Sequence, residues 1–273
     1  MNRTVDIAEL QLRFVDSTRR TRSRGSAPAT KNRVLPTMVL LPPHRTRAPL
    51  LVFAIGFNNS AAGYKDFLTD FARIGYVVAT PEFPLATSTR TGPPSQSDVP
   101  NEPADIRFVI TELLKAAKQN GPLHDAIDAR HIAVIGHSDG AIVASAIALN
   151  SCCIDRRVSA VVSISGDKSF MPPTWVSKGT RPWLGIHGTA DRVASSVGSK
   201  ELFSTAGPPR YLVLVDGAGH LDSTNNATIR PGVVTIIREF LRRYLFTNTP
   251  ALLRFSALAN EGPFQLMADP PIP

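Results

Sequence analysis

The sequence predicts an α/β fold: a mostly parallel sheet of eight strands with helices on both faces and no large cap domain. Three observations carry that expectation. From residue 48 onward, short β-branched runs alternate with segments of helical periodicity, the pattern of a parallel sheet with crossover helices. A glycine-bracketed pentapeptide, Gly136-His137-Ser138-Asp139-Gly140, falls between the apolar run His131–Ile135 and a small-residue helix, Ala141–Leu149. The length, 273 residues with 43% hydrophobic content, suits one domain, 1–273, with a sizeable core.

The elements follow in order. Strands near Val5–Val15 and Val34–Leu41 make an antiparallel start, and the third strand is Leu50–Ile55. A helix over Tyr64–Ile74 places Phe67, Phe71 and Ile74 at helical spacing, and the fourth strand is Tyr76–Ala79. Residues 81–103, rich in Pro, Ser, Thr and Gly, read as a long loop. A helix over Ala104–Asn120 is ended by Gly121-Pro122. The pentapeptide's strand and helix come next, then strands Val158–Ile164 and Trp183–His187, a short helix near Ser199–Ser204, and strand Tyr211–Val215. A closing helix over Pro231–Phe246 has proline in its first turn. The tail, 247–273, is Pro-rich and reads as weakly structured, with room for one short helix at Ala251–Leu258.

The formal net charge is +8, and residues 1–50 hold ten Lys/Arg against three Asp/Glu. Nearly all of the excess is therefore N-terminal, and the basic segment 1–48 precedes a nearly neutral body. No interleaved aromatics or nucleic-acid motif accompany it, so no nucleic-acid partner is expected and the segment reads as a solvated hairpin with a flexible loop at Thr18–Lys31. No apolar run approaches 18 residues, and acids occupy the start where a signal peptide has its apolar core. The expectation is a cytoplasmic protein without stable membrane insertion. Cys152 and Cys153 are adjacent, and vicinal cysteines rarely bridge without strain, so they read as small buried or partly buried residues.

The pentapeptide carries the chemistry. A strand that reverses into a helix within one residue pushes Ser138 into a strained, exposed conformation, and glycines at 136 and 140 remove side chains that would clash there. The helix N-terminus offers backbone N–H groups and partial positive charge beside the hydroxyl. A serine nucleophile needs a base and an acid, which in this arrangement follow it in the order acid, histidine. Asp191 ends Trp183-Leu184-Gly185-Ile186-His187-Gly188-Thr189-Ala190-Asp191, and His220 ends Asp216-Gly217-Ala218-Gly219-His220, both just past strand carboxyl ends. His220 is the expected base and Asp191 the group that orients it. Asp167, also past a strand, is the alternative acid. Of the other histidines, His137 should point away from the nucleophile, His187 should pack or bond its loop, and His44, His124 and His131 should be solvated. The oxyanion hole is expected from the N–H groups of Asp139 and Phe57, the latter in the loop after the third strand.

At these residues the chain resembles serine hydrolases of the α/β-hydrolase superfamily. Within it, the chain is similar to dienelactone-hydrolase-like, chlorophyllase-like and platelet-activating-factor-acetylhydrolase-like esterases. The segments that match are Leu51–Phe57, Gly75–Pro84, Pro103–Ile110, the pentapeptide, His187–Asp191 and Gly217–His220. The resemblance extends to cutinase-like polyester hydrolases, in which an aromatic residue after the third strand has the role expected of Phe57. Two departures stand out. Dienelactone hydrolases proper use a cysteine nucleophile, and related esterases carry an apolar residue where this chain has Asp139. That acid is expected to cap the following helix or support the site from behind; the other reading has it favour basic or hydroxylated substrates.

The resemblance implies an ester hydrolase with a Ser-His-Asp triad and an acyl-enzyme, acting on a small-molecule or lipid-like ester. An acyltransferase, thioesterase or lactonase would use the same triad, and a non-catalytic binding protein would not need it complete. The segment Ser165–Arg181 is too short for a cap, so the site should be open, rimmed by Phe57, Phe83, Phe170 and Trp175. No H-E-x-x-H or paired His/Cys spacing occurs, so neither metal nor cofactor is expected. The oligomeric state is left open.

Overall fold

The computed structural model describes residues 7–44, 46–178 and 180–272. Along the chain lie β1 (Ala8–Asp16), β2 (Arg33–Leu41), β3 (Ala48–Ala54), α1 (Lys65–Arg73), β4 (Val77–Pro81), α2 (Glu102–Ala116), β5 (Ile127–His137) and α3 (Asp139–Leu149). There follow β6 (Val158–Ile164), β7 (Trp183–Gly188), α4 (Ser196–Thr205), β8 (Arg210–Val215), α5 (Asp222–Asn225), α6 (Arg230–Leu245), α7 (Thr249–Leu258) and β9 (Phe264–Asp269). Val5 and Asp6, the start of the first expected strand, lie outside the described residues.

The strands form one sheet in the order β1-β2-β4-β3-β5-β6-β7-β8-β9. The six strands from β4 to β8 in that order run parallel, and antiparallel β1, β2 and β9 close its edges. All five residues of β4 and all six of β7 are buried, as expected of parallel strands covered on both faces. Helix α3 is buried along all eleven of its residues. Its Ala, Ile and Val side chains are apolar all round, which suits a helix wedged between the sheet and α2 rather than one facing water. Helix α6 is amphipathic: Val233, Ile236, Ile237, Phe240 and Leu241 are buried, and Arg238 and Arg242 are not. It packs with α1, α5 and α7. With no cap over the sheet, the 165–182 connection between β6 and β7 contains no helix among its described residues.

Three expectations are corrected. The sheet has nine strands, not eight. The ninth lies in the tail, where Pro263, Pro270 and Pro271 obscure a short alternating run, Phe264-Gln265-Leu266-Met267-Ala268. It pairs with β8 from Val215↔Phe264 to Arg210↔Asp269, and that last pair is an ion pair at 2.7 Å. Most of the Thr18–Lys31 segment is exposed, as expected of a solvated hairpin, but its tip is bridged and one of its arginines is buried. It folds into a hairpin through bridges Thr21↔Thr30 and Arg24↔Ala27, and Arg24 is only 6% exposed. Finally, Cys152 and Cys153 are joined as a vicinal disulfide. The turn after α3, where Asn150 accepts from both Cys153 N–H (2.9 Å) and Cys152 N–H (3.2 Å), brings them together.

Candidate active site

Ser138 sits between β5 and α3 with φ +57° and ψ −123°. Such a positive φ is strained for a residue with a side chain, and the surroundings enforce it. A Cβ at Gly136 would overlap the Gly140 carbonyl, and one at Gly140 would overlap the Ala54 carbonyl. Only glycine on both sides lets the chain turn this tightly against β3. The Ser138 N–H donates to Ile164 C=O at 2.9 Å, tying the turn to β6.

His220 and Asp191 arrive from the ends of β8 and β7. His220 Nε2 is 3.0 Å from Ser138 Oγ, and His220 Nδ1 is 2.7 Å from Asp191 Oδ2. The Asp191 side chain is fully buried, and its Oδ1 accepts from Val193 N–H (2.8 Å) and Ala194 N–H (2.9 Å). Burial would raise its pKa, but the Ala194 N–H, His220 and the Val193 N–H outweigh burial and hold the carboxyl below the usual range. An ionised Asp191 fixes the proton of His220 on Nδ1 and leaves Nε2 to accept from Ser138. The structure thus brings together the three residues singled out from the sequence. The alternative acid, Asp167, accepts from Ser169 N–H at 2.7 Å and makes no hydrogen bond to His220.

His137 points away from Ser138, as expected, but into a network the sequence does not announce. It is buried, and burial pulls its pKa down to about 4, so it is neutral at pH 7. Its Nε2 lies 2.8 Å from the His220 carbonyl and its Nδ1 2.9 Å from Tyr64 Oη. Since the carbonyl can only accept, Nε2 carries the proton and Nδ1 accepts from the Tyr64 hydroxyl. That hydroxyl accepts in turn from Gly56 N–H at 3.2 Å. One chain of bonds therefore runs from the loop after β3, beneath Ser138, to the backbone of His220. His187 is also buried, bonded to Ser199 Oγ (2.7 Å) and Ala194 C=O (2.9 Å) and 3.3 Å from Asp191. Of the histidines expected to be solvated, His44 and His124 are exposed, whereas His131 is partly buried and bonded to Asp128 at 2.9 Å.

The two expected oxyanion donors stay open. Neither Phe57 N–H nor Asp139 N–H has a partner among the described residues. A Cβ at Gly56 would lie 3.2 Å from Ser138 Cβ, so the Phe57 loop runs directly beside Ser138. The Asp139 side chain does not cap α3. It is 5% exposed and accepts from Gln96 Nε2 at 2.9 and 3.1 Å. Burial raises its pKa, with Gln96 opposing. Gln96 is missed by sequence reasoning because it lies in the loop 81–103, with no periodicity to give it a direction.

The expected aromatic rim is largely dismantled. Phe83 is fully buried in the core. Trp175 pairs with Asn150 at the far end of α3 and packs on the core, about 18 Å along that helix from Ser138. Phe57 is half-buried, and Phe170 is 47% exposed. A loop aromatic looks like a rim residue from sequence; whether it turns inward is decided by the space under the loop. Two cavities of about 490 and 500 Å³ lie elsewhere, and neither is lined by Ser138, Asp191 or His220. Among the described residues, no three His, Cys, Asp or Glu side chains group so as to hold a metal ion, and no helix is long and apolar enough to cross a membrane.

Residues 13–168 match the family model described as chlorophyllase. Among solved structures, a ferulic acid esterase from Streptomyces cinnamoneus is similar in fold, with a TM-score of 0.69 at 18% sequence identity, covering 90% of this chain and 92% of that one. No curated protein matches the chain.

Proposed function

From the premise that the chain belongs to the chlorophyllase family, within the α/β-hydrolase fold, we propose that it hydrolyses carboxylic esters through an acyl-enzyme on Ser138. The observation that carries this reading is the linear array Ser138 Oγ, His220, Asp191, with separations of 3.0 and 2.7 Å, at the sharp turn into α3. As Ser138 Oγ bonds to the ester carbonyl carbon, its proton passes to His220 Nε2 and the carbonyl π electrons move onto oxygen. The open N–H groups of Phe57 and Asp139 receive that oxyanion; one such donor is typically worth about 3 kcal/mol of barrier. When the tetrahedral adduct collapses, the C–O bond to the alcohol breaks and His220 returns the proton to the leaving oxygen. Water then repeats the sequence on the acyl-enzyme, releasing the acid and restoring Ser138. Throughout, Asp191 stays ionised and stabilises the imidazolium.

The loss of Phe83 and Trp175 from the rim favours soluble esters with short acyl groups over long chains. With no cap to displace, the rate should show no jump above the solubility limit of a long-chain ester. A panel of p-nitrophenyl esters from C2 to C12, run on wild type and Ser138→Ala, tests both points, together with labelling by a fluorophosphonate. Labelling and turnover should disappear in Ser138→Ala. Hydrolysis undiminished in that variant would overturn the proposal.

A further inference from the structure

We propose that the cavity between the N-terminal hairpin and residues 84–91 is an anion site that takes a small phosphate-bearing molecule. The cavity is about 490 Å³ and is lined by Arg22, Arg24 and Arg90. Its two walls are distant in sequence and closed on each other by construction. Gly25 (φ +54°) and Gly92 (φ +91°) meet at the seam: a Cβ on Gly25 would lie 2.7 Å from Pro93 Cδ, and one on Gly92 would lie 2.6 Å from the Arg24 carbonyl. Both glycines hold backbone that other residues rarely adopt, and both permit the close approach.

The three guanidinium groups are held in place without being neutralised. Arg24 Nε donates to the carbonyls of Gly92 (3.1 Å) and Pro93 (3.2 Å). Arg90 Nη2 donates to Val34 C=O, and Arg22 Nη2 to Ser97 C=O, each at 2.6 Å. Among the described residues none of the three has a carboxylate within 4.0 Å. Their neighbours Arg19 and Arg33 do, on Asp16, Asp98 and Asp105. Carbonyl partners orient a guanidinium but leave its full charge, and each group has five N–H donors, of which these bonds use only some. Arg24 is almost fully buried and Arg22 is exposed; burial, then Arg24 and Arg33, lower the pKa of Arg90, with Glu82 opposing. Three carbonyl-oriented arginines that line one cavity and have no carboxylate partner among the described residues match the tetrahedral oxygens of a phosphate, which accept from several directions at once. The volume leaves room for a small group attached to the phosphate.

The cavity shares no lining residue with the Ser138 site, so anion binding can be tested in a Ser138→Ala background, independently of esterase activity. Pyrophosphate is titrated into the full chain by calorimetry. Saturable binding of about one per chain is expected, and Arg90→Gln and Arg22→Gln should each weaken it by about tenfold or more. Arg24 is left intact because it also secures Gly92 and Pro93. The control is Arg20→Gln, an exposed residue outside the cavity whose loss changes net charge equally; it should alter binding by less than about twofold. Equal weakening by Arg20→Gln, or no saturable binding at millimolar pyrophosphate, would overturn the proposal. A parallel arm with phosphatidic acid vesicles distinguishes the source of the phosphate. Binding to vesicles that Arg90→Gln abolishes assigns a lipid headgroup, and binding to free pyrophosphate alone assigns a soluble ligand.

Discussion

Two buried carboxylates, Asp191 and Asp105, have the same chemistry and opposite electrostatic fates. Both side chains are fully shielded from solvent. Asp191 is held below the ordinary carboxyl range and Asp105 is pushed above it, burial being the largest influence on each. The difference lies in the neighbours. Asp191 accepts from two backbone N–H groups and His220 at the open edge of the sheet. Asp105 has strong partners, Arg33 at 2.5 Å and Arg19 at 2.7 Å, but shares its enclosure with Asp98 and Glu102. Glu102 fares worst: it is fully buried, neither carboxyl oxygen has a hydrogen-bond partner among the described residues, and burial together with Asp105, Asp98 and Asp139 raises its pKa well above the usual value. Oriented donors hold one buried acid below its ordinary range, whereas burial, with other acids alongside, raises the pKa of the other.

The largest effect is expected at the Asp191 end. His220→Ala should reduce kcat/KM by about 10⁴ or more, because in the proposed mechanism Ser138 loses its base. Asp191→Asn should cost somewhat less, since the base remains without its orienter. A severe effect of Asp167→Asn beside a mild one of Asp191→Asn, in the same kcat/KM measurement, would reverse the assignment of the acid.

At the Asp105 end the effect should be on stability. Arg33→Gln leaves Asp98 and Asp105 buried without their main counter-charge, and removing one partner of a buried ion pair costs about 3–5 kcal/mol. Chemical denaturation should report a lower midpoint with the slope unchanged.

Glu102 extends the same contrast to pH. Its folded pKa is raised, so between the ordinary carboxyl range and that raised value the folded protein holds a proton the unfolded chain has released. Stability should therefore fall as pH rises through this window, by up to about 1.4 kcal/mol per pH unit. In Glu102→Gln that component of the slope should vanish, leaving the variant relatively more stable at the alkaline end. Denaturation midpoints measured from pH 5 to pH 9 check it; parallel profiles for the two proteins would mean that Glu102 does not hold its proton.

The smallest expected effect tests the chain of bonds beneath Ser138. Tyr64→Phe removes the hydroxyl that links Gly56 N–H to His137. The loss of about 1 kcal/mol typical of such a bond corresponds to about fivefold, and it should appear in kcat with KM little changed.

What was legible in the sequence is what local geometry demands. Gly136 and Gly140 bracket Ser138 because no side chain fits at either place, and that constraint is visible in five residues. Asp191 and His220 were legible because each follows a buried apolar run, and strand ends in a parallel sheet converge on one edge. The strand-and-helix alternation made the parallel sheet legible, though not the order of its strands. Tertiary structure alone decided the rest. Gln96 meets Asp139 across 43 residues and His137 meets the His220 carbonyl across 83, and nothing in either local pattern aims one at the other. Phe83 and Trp175 are aromatic residues in loops whose inward turn depends on space left by α3 and the sheet. Arg24 and Arg33, read as solvated charges, are buried because Gly92, Asp98 and Asp105 approach from more than sixty residues away. Periodicity and steric exclusion act within a few residues and can be read along a chain. The direction and partner of a polar side chain are set by long-range packing, which the folded structure alone supplies.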